Sequence, residues 1–456
     1  MARLEGSYLD VVPSRGMRPR INSDKFNILV YFVSVIAVGT MLLSSPPAWA
    51  GEDRLGLLDS LFTATSAVCV TGLAVVDTAG FSLFGQIVLL LLIQCGGLGI
   101  VAFATLYVAI PRRKVSLVNR GIIKEMYMDE VESNPRYIVL NIAAVTLAIE
   151  TIGFCILLAR FRSIGVDGAA FSAAFHAVSA FCNAGFSTFS DSLIGFAGDW
   201  VVNLVVMALI VSGGIGFVVM QDIGRVFMRS KRRLSYHSRI VLSITATLIV
   251  FGAALYYALE YNSAFSGMGL GDGLLAALFE SVTTRTAGFE TVPQGSFGYA
   301  SVILTIFLML TGGSPGSTAG GVKTTTMFMA FAAAFRGTEE DGSISYRGGA
   351  LSTTSVTRAF SILAKALLII GACLFLLLAF EGSRFAFVDL LFEIVSAFGT
   401  VGLSRGVTPG LGAWGKLVII AAMFIGRIGV FAMAVSRPSD RVERFAAYPR
   451  ENLLLG

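Results

Sequence analysis

The sequence predicts an all-α polytopic membrane protein, and three observations support this fold class. The chain is 55% hydrophobic and only 14% charged, with a mean hydropathy of +0.78, whereas soluble domains carry about 25% charged residues. Its apolar residues occur in runs close to the ~20 residues that a bilayer-spanning helix needs. A short glycine phrase also occurs four times. We therefore predict eight transmembrane helices, arranged as four helix–pore loop–helix repeats around a pseudo-fourfold pore.

Each glycine phrase follows a short amphipathic run that contains Ser or Thr, and a Leu or Phe follows its last glycine. Four strands of small residues can point their backbone carbonyl oxygens at a desolvated cation on a common axis. We therefore predict that the four phrases form an ion-binding filter. The candidate filter residues are Cys69, Val70, Thr71 and Gly72; Cys182, Asn183, Ala184 and Gly185; Thr286, Ala287 and Gly288; and Gly399, Thr400, Val401 and Gly402.

Every repeat consists of a long outer apolar segment, a short run that ends at the glycine phrase, and a returning apolar segment. The short runs cannot span a bilayer, and they suit re-entrant pore helices buried in protein. The outer segments are predicted at 26–45, 137–160, 238–260 and 356–380. The short runs are predicted at 57–70, 168–182, 272–285 and 387–398, and the returning segments at 82–110, 198–228, 299–334 and 412–436.

Basic residues are concentrated near the two ends of the chain and between the repeats. The positive-inside rule therefore predicts that both termini are cytoplasmic and that the glycine phrases face outward. No cleaved signal peptide is expected in the first 25 residues, and the net charge of +5 requires no nucleic acid. The predicted division is 1–25, N-terminal segment; 26–110, repeat 1; 137–228, repeat 2; 238–334, repeat 3; 356–436, repeat 4; and 437–456, C-terminal tail.

A second set of glycines, beginning at Gly96, Gly213, Gly312 and Gly426, lies in the returning segments. A rise of 1.5 Å per helical residue brings these glycines near mid-membrane beneath the filter, although close helix packing is an alternative role. In repeat 3, the glycines and a proline cannot continue a helix. Irregular backbone at this depth must be buried or line a cavity, so we predict a gate loop. Its residues are Gly312, Gly313, Ser314, Pro315, Gly316, Ser317, Thr318, Ala319, Gly320 and Gly321.

Several basic residues lie within the apolar segments, where charges are costly and often functional. Arg427 lies at the depth of the gate loop, so it can either donate hydrogen bonds to the loop carbonyls or pair with a buried acid such as Glu150. Lys365 is a similar candidate. Lys323 either acts in the same way or extends to the cytoplasmic surface.

Charged and polar residues also occur in the predicted pore helices. Glu280 and Glu393 lie in helices whose C-terminal dipole ends would favour a cation. Arg285 would repel a cation beside the filter, so we expect it to point away and to pair with Glu290 or Glu280. We interpret His176 as a packed polar residue rather than a proton relay. The cysteines and histidines lack the spacing of a metal site or a disulfide framework.

The four phrases, the gate loop with the following Val322-Lys323-Thr324-Thr325, and Arg427 resemble the Trk/Ktr/HKT superfamily of potassium transporters. The resemblance runs from about residue 26 to the end, and the length favours the KtrB-like branch. It implies a homodimer in the bacterial cytoplasmic (inner) membrane, with one pore per subunit and a cytoplasmic ring of RCK-type regulatory subunits. ATP/ADP or NAD would bind that ring, because this chain lacks a GxGxxG motif after a strand. Membrane lipids are the other expected partners.

The resemblance implies potassium uptake through a channel-like pore, with the gate loop under control of the regulatory ring. In the family, serine at the first filter position accompanies sodium permeation, so Gly72 favours potassium. The alternative is a symporter coupled to protons or sodium. Such a symporter would need paired intramembrane acids, whereas Glu150, Glu280 and Glu393 are scattered. No enzyme is expected, because the spans contain no Ser/His, paired-Asp or HExxH arrangement.

Two basic loops, at 112–124 and 229–239, have two open interpretations. They either dock an acidic face of the regulatory ring or serve only to orient the chain in the membrane.

Overall fold

The computed structural model of the protein describes residues 23–51, 54–98, 135–229, 233–336, 344–346 and 349–429. The predicted C-terminal tail at 437–456, the basic loop at 112–124 and nearly all of the N-terminal segment at 1–25 lie outside the described residues. The described part is helical except for its loops and one short hairpin.

The helices repeat one order, in which a long outer helix precedes a short helix and a returning helix. The outer helices are α1 at Ser23–Leu43, α4 at Pro135–Ser163, α8 at Tyr236–Glu260 and α12 at Thr353–Glu381. The short helices are α2 at Leu57–Cys69, α5 at Ala169–Cys182, α9 at Leu270–Thr283 and α13 at Phe387–Gly399. The returning helices are α3 at Leu83–Gly97, α6 at Trp200–Gly214, α7 at Phe217–Phe227, α10 at Tyr299–Leu310, α11 at Thr324–Arg336 and α14 at Ala413–Phe424. The bounds of the outer and short helices lie within one helical turn of the predicted ones.

Three described helices are long and apolar enough to cross a membrane, and they are Leu140–Ser163, Tyr236–Glu260 and Thr353–Glu381. The pair α6 and α7 would make a fourth span if the two helices are counted together. Only 28% of the most apolar window of each of the three helices is buried. Their remaining apolar surface suits contact with lipid.

The second returning segment differs from its prediction. The sequence predicts one segment over 198–228, whereas the structure has two helices, α6 and α7, with a bend of 106° between them. Gly216 separates them with φ = 92°, a conformation that side chains other than glycine rarely adopt. The helix therefore ends at this glycine, and the chain turns before α7 begins.

The short helices form the centre of the fold. Each contributes phenylalanines or small residues that are almost fully buried, including Phe62, Phe175, Phe279 and Phe392. The short helix of each repeat packs against its outer helix, which in turn exposes large apolar side chains on its other face. Burial of the short helices fixes the positions of the loops that follow them.

A hairpin that the sequence analysis did not predict connects α11 with α12. Its strands, β1 at Ile344–Tyr346 and β2 at Gly349–Leu351, pair in antiparallel register. The Tyr236 hydroxyl at the start of α8 donates a hydrogen bond to the Tyr346 carbonyl at 2.7 Å. The Arg336 guanidinium lies 4.9 Å from the centre of the Tyr346 ring, within the range of a cation–π contact.

Candidate functional site

After each short helix, the residue two positions before the terminal glycine of the phrase is in the left-handed conformation. The φ angles are 56° at Val70, 59° at Asn183, 73° at Thr286 and 51° at Thr400. This conformation is unfavourable for residues with a Cβ, above all for β-branched ones. Its occurrence at the same place in four repeats indicates that the surrounding structure enforces a common chain path.

The candidate filter strands are the residues 70–72, 183–185, 286–288 and 400–402. Cys69, Cys182 and Gly399, the first residues of three predicted phrases, belong to the last turns of α2, α5 and α13 instead. Each strand ends in a glycine with positive φ, at 93° for Gly72, 71° for Gly185, 77° for Gly288 and 98° for Gly402.

The four terminal glycines lie against one another in a closed ring. A Cβ added to Gly72 would lie 2.6 Å from the Ala184 carbonyl oxygen, and a Cβ added to Gly185 would lie 2.8 Å from the Ala287 carbonyl oxygen. The same construction brings Gly288 against Val401 and Gly402 against Thr71. No side chain therefore fits at any of the four glycines without displacing the carbonyl of the next strand.

The helices behind the strands follow the same circular order. The returning helix of each repeat contacts the short helix of the next repeat, and the last returning helix contacts the first short helix. The contacting pairs are α3 with α5, α6 with α9, α10 with α13, and α14 with α2. The ring of glycines is thus enclosed by a ring of helices that uses all four repeats.

A hydroxyl group on every short helix holds the strand that follows it. The Ser66 and Ser396 hydroxyls each accept a hydrogen bond at 3.1 Å, from the N–H groups of Gly72 and Gly402 respectively. The Ser179 hydroxyl donates to the Phe186 carbonyl at 2.7 Å. Thr283 donates to the Phe289 carbonyl at the same distance. The sequence analysis noted Ser and Thr in these runs but did not assign them this role.

The predicted gate loop lies between α10 and α11 and contacts the break between α6 and α7. The N–H groups of Ser314 and Thr318 donate to the carbonyls of Gly214 and Gly213, at 2.9 and 3.2 Å. The Phe217 N–H donates in return to the Gly316 carbonyl at 3.1 Å. The backbone groups freed by the helix break in repeat 2 therefore satisfy those of the loop in repeat 3.

The loop also contacts the last turn of the short helix α5 and the candidate filter residue Thr400. The Thr318 hydroxyl donates to the Phe181 carbonyl, in the last turn of α5, at 3.1 Å. Gly320 packs so closely on Thr400 that a Cβ added there would collide with the threonine side chain. The loop thus lies directly under the candidate filter.

Arg427 is buried, with 8% of its surface exposed, and it joins the loop to repeat 1. Its guanidinium donates to the Thr318 carbonyl and, at 2.8 Å, to the Gly96 carbonyl. A π-helical turn at Ile425–Gly429 carries this residue, and such turns are frequent at functional sites. Glu150 accepts a hydrogen bond from the Gln94 side chain at 3.3 Å, and no ion pair joins it to Arg427 among the described residues.

The three remaining basic candidates, Lys323, Lys365 and Arg285, lie at three different places in the fold. Lys323 donates to the Ala319 carbonyl at 2.7 Å, so it belongs to the loop. Lys365 lines an open groove on α12 with Arg358 and several hydroxyl side chains. Arg285 differs from its prediction, because no ion pair joins it to Glu280 or Glu290 in the described part of the chain. It lines a small cavity instead.

Three other polar candidates are satisfied by local hydrogen bonds. Glu393 accepts from the Ser404 hydroxyl at 3.0 and 3.1 Å, and Glu280 accepts from Gln294 at the same distances. His176 binds the Ser172 carbonyl and the Ser187 hydroxyl at 2.7 and 2.9 Å. Its ring is enclosed by phenylalanines, in agreement with its interpretation as a packed residue. No cluster of potential metal ligands occurs among the described residues.

Taken together, the apolar helices and the buried irregular loops define a multi-pass membrane protein. The chain belongs to the TrkH family, described as cation transport proteins, whose model matches residues 11–444. The predicted family is thereby confirmed, and it is a family of transporters rather than enzymes.

Relatives match along nearly the whole chain. A Ktr system potassium uptake protein B from Vibrio alginolyticus is 35% identical over 449 residues, which cover 97% of this chain and 96% of that protein. A potassium/sodium uptake protein, NtpJ from Enterococcus hirae, is 35% identical over 455 residues and is covered completely. The potassium transporter TrkH from Vibrio parahaemolyticus shares the fold, with a TM-score of 0.71 at 17% identity over 93% of this chain and 87% of its own.

Proposed function

We propose that this protein takes up potassium across the bacterial cytoplasmic membrane through a channel-like pore. The observation that carries the proposal is the closed ring formed by the strands ending at Gly72, Gly185, Gly288 and Gly402. Backbone carbonyls replace the hydration shell of a potassium ion without requiring a charged side chain. Relatives named as potassium uptake proteins, at 35% identity, favour the same ion.

The proposed architecture has eight transmembrane helices in four repeats around a pseudo-fourfold axis, with the short helices as pore helices. The circular order of helix contacts supports it. Both termini are proposed to be cytoplasmic, so the candidate filter faces outward and the gate loop lies toward the cytoplasm.

The proposed gate is the loop Gly312–Gly321 together with Arg427. In the described conformation, backbone hydrogen bonds hold this loop between the break in repeat 2 and the Arg427 guanidinium. Opening then requires the loop to lose its bond to Arg427 or its bonds to Gly213 and Gly214, while the filter strands above it keep theirs. A loop with five glycines that is held by a few hydrogen bonds suits such a movement.

The proposed regulator is a separate cytoplasmic ring of RCK-type subunits that binds ATP/ADP or NAD, and the proposed assembly is a homodimer. The relative from Vibrio alginolyticus is named as a protein of a Ktr system, which implies more than one component. Arg229 and Arg233 are exposed beside the break-containing repeat 2, so a ring docked there would act next to the loop. Reversal of Lys231, Arg232 and Arg233 to Glu should abolish co-purification with the ring; retained binding would leave these residues a role in topology alone.

A potassium symporter coupled to protons or sodium is the second candidate function. One observation favours it, because Glu150 is buried and one of its carboxyl oxygens has no partner among the described residues. Intramembrane acids of this kind occur in proton relays. The relative from Enterococcus hirae is named a potassium/sodium uptake protein, which supports sodium as a candidate for the coupled ion.

The reversal potential of the purified protein in planar bilayers separates the two functions. For a channel, the reversal potential should follow the potassium gradient and should not shift when a pH gradient or a small sodium gradient is imposed. A symporter's reversal potential would shift with the coupled ion. Absence of any potassium current or flux in bilayers and in vesicles would contradict both.

A further inference from the structure

Arg285 is a buried charge that has no ion-pair partner among the described residues, and it lies between the third candidate filter strand and the gate loop. Only 7% of its surface is exposed, and its Nε has no hydrogen-bond partner among the described residues. Neither nearby acid pairs with it. The Glu280 carboxylate accepts hydrogen bonds from Gln294, and Glu290 follows the glycine phrase in the sequence, whereas Arg285 precedes its glycine. An uncompensated buried ion costs several kcal/mol even after relaxation of its surroundings.

Arg285 lines a small, partly enclosed space at the junction of α6, α8, α9 and the gate loop. The volume of this cavity is about 10 Å³, which is roughly the space that one water-sized particle requires. The Thr245 hydroxyl in the same lining is buried and also has no hydrogen-bond partner in the described part of the chain. The other lining residues are Ile210, Val211, Gly214, Ile215, Ile249, Val282 and Gly313.

The residues that line the cavity determine whether a ligand there should be positively or negatively charged. It offers a full positive charge and one hydroxyl donor on an otherwise apolar wall, without a carboxylate. Two carbonyls of the lining residues already accept a hydrogen bond each, Gly214 from Ser314 and Gly313 from Thr324. A water molecule would satisfy hydrogen bonds but leave the charge unbalanced, whereas a small anion supplies both.

We propose that Arg285 and Thr245 hold one small monovalent anion of the halide class in this cavity. The anion neutralises Arg285 and thereby removes the repulsion that its charge would exert on a cation in the adjacent filter strand. It also joins the end of α9 to Gly313 at the start of the gate loop. The site goes beyond the transport function, and it can be tested by binding alone.

The first test is crystallographic, on the full chain grown with bromide in place of chloride. An anomalous peak between Arg285 and Thr245 is expected. If well-ordered crystals show water density in the cavity and no anomalous peak, the proposal is overturned.

The second test is thermal unfolding of the detergent-solubilised protein in chloride and in gluconate at equal ionic strength. Chloride should shift the parent Tm upward, because a ligand that binds only the folded state stabilises it. The shift should be smaller in Thr245→Val and lost in Arg285→Met. In gluconate, Arg285→Met should be at least as stable as the parent, since the unpaired charge is gone.

Thr146→Val is the matched control, because the Thr146 hydroxyl is likewise buried without a partner among the described residues but does not line the cavity. It should retain the full chloride shift. Equal shifts in the parent, Thr245→Val and Thr146→Val would overturn the proposal even if Arg285→Met failed to fold.

Discussion

The candidate filter is built from four equivalent parts, one from each repeat, whereas the predicted gate region next to it is built from parts that differ between the repeats. In the candidate filter, all four repeats have a left-handed residue two positions before the terminal glycine, a hydroxyl that holds the strand, and positive φ at that glycine. Below it, the returning segments diverge. Repeat 2 breaks at Gly216, repeat 3 unwinds between α10 and α11, and repeat 4 contains a π-helical turn at Ile425–Gly429.

The difference follows from what each region must satisfy. Four strands that close a ring around one ion need equivalent backbone paths, because one misplaced carbonyl changes every coordination distance. A gate needs an element that can move relative to rigid neighbours, and a loop from one repeat is sufficient. The helix break in repeat 2 and Arg427 in repeat 4 therefore need not resemble each other, since each satisfies a different part of the same loop.

The largest expected effect comes from a side chain in the ring. Gly402→Ser should abolish potassium selectivity over sodium, because its Cβ would collide with the Thr71 carbonyl. Gly406→Ser is the matched control. Gly406 has a similar φ of 86° but has nothing within 4 Å of an added Cβ, so it tests backbone strain alone. Growth of potassium-auxotrophic cells and bilayer selectivity are the measurements. Equal behaviour of the two variants would remove Gly402 from the filter.

The second effect concerns the gate. Arg427→Ala should raise potassium flux through vesicles that lack a regulatory ring, by several-fold, because the loop loses the donor that binds the Thr318 carbonyl. Arg384→Ala is the control. Arg384 pairs with Glu381 and its side chain is 53% exposed, so its loss should leave the flux unchanged. Shortening the loop within Gly312–Gly321 should act in the same direction as Arg427→Ala. If both gate variants fold but conduct no faster than the parent, the barrier lies elsewhere.

The sequence predicted the candidate filter region better than the predicted gate region, because only the candidate filter region repeats the same pattern four times. Repetition makes the short helices and their glycines recognisable, so their bounds agree with the structure within a helical turn. The break at Gly216 could not be predicted, because glycines in a returning segment are equally typical of close helix packing. Only the hydrogen bonds from Ser314 and Thr318 distinguish the two roles.

The partners of buried side chains also could not be predicted from the sequence. The expected ion pair of Arg285 with an acid is wrong, and the Glu280 carboxylate accepts hydrogen bonds from Gln294 instead, 14 residues further along the chain. The hairpin that begins at Ile344 was missed since its strands are only three residues long and lack a clear alternation. The eight-span count remains a prediction, because long stretches between α3 and α4 and after α14 lie outside the described residues.

A third, smaller effect should come from the helix break that holds the loop. Gly216→Ala forces a side chain into a φ of 92° and places its Cβ 2.6 Å from the Pro315 carbonyl oxygen. We expect a lower Tm and a modest rise in flux, about twofold, since a strained residue costs roughly 1–2 kcal/mol. Gly224→Ala in α7, where an added Cβ meets nothing within 4 Å, is the control. The docking role of the break is contradicted if only stability changes and flux does not.

The smallest effect separates the hydroxyls that hold the filter from those that merely pack nearby. Ser66 and Ser60 both lie on α2 and are both 0% exposed, but Ser66 accepts a hydrogen bond from Gly72 whereas the Ser60 hydroxyl has no partner among the described residues. Ser66→Ala should therefore destabilise the protein by about 1 kcal/mol and slightly reduce the preference for potassium over sodium. Ser60→Ala should be neutral or stabilising, because it removes a buried hydroxyl that is not hydrogen-bonded. Melting curves and bilayer selectivity of the two variants test this difference, and equal losses would mean that the filter strands are held by helix packing alone.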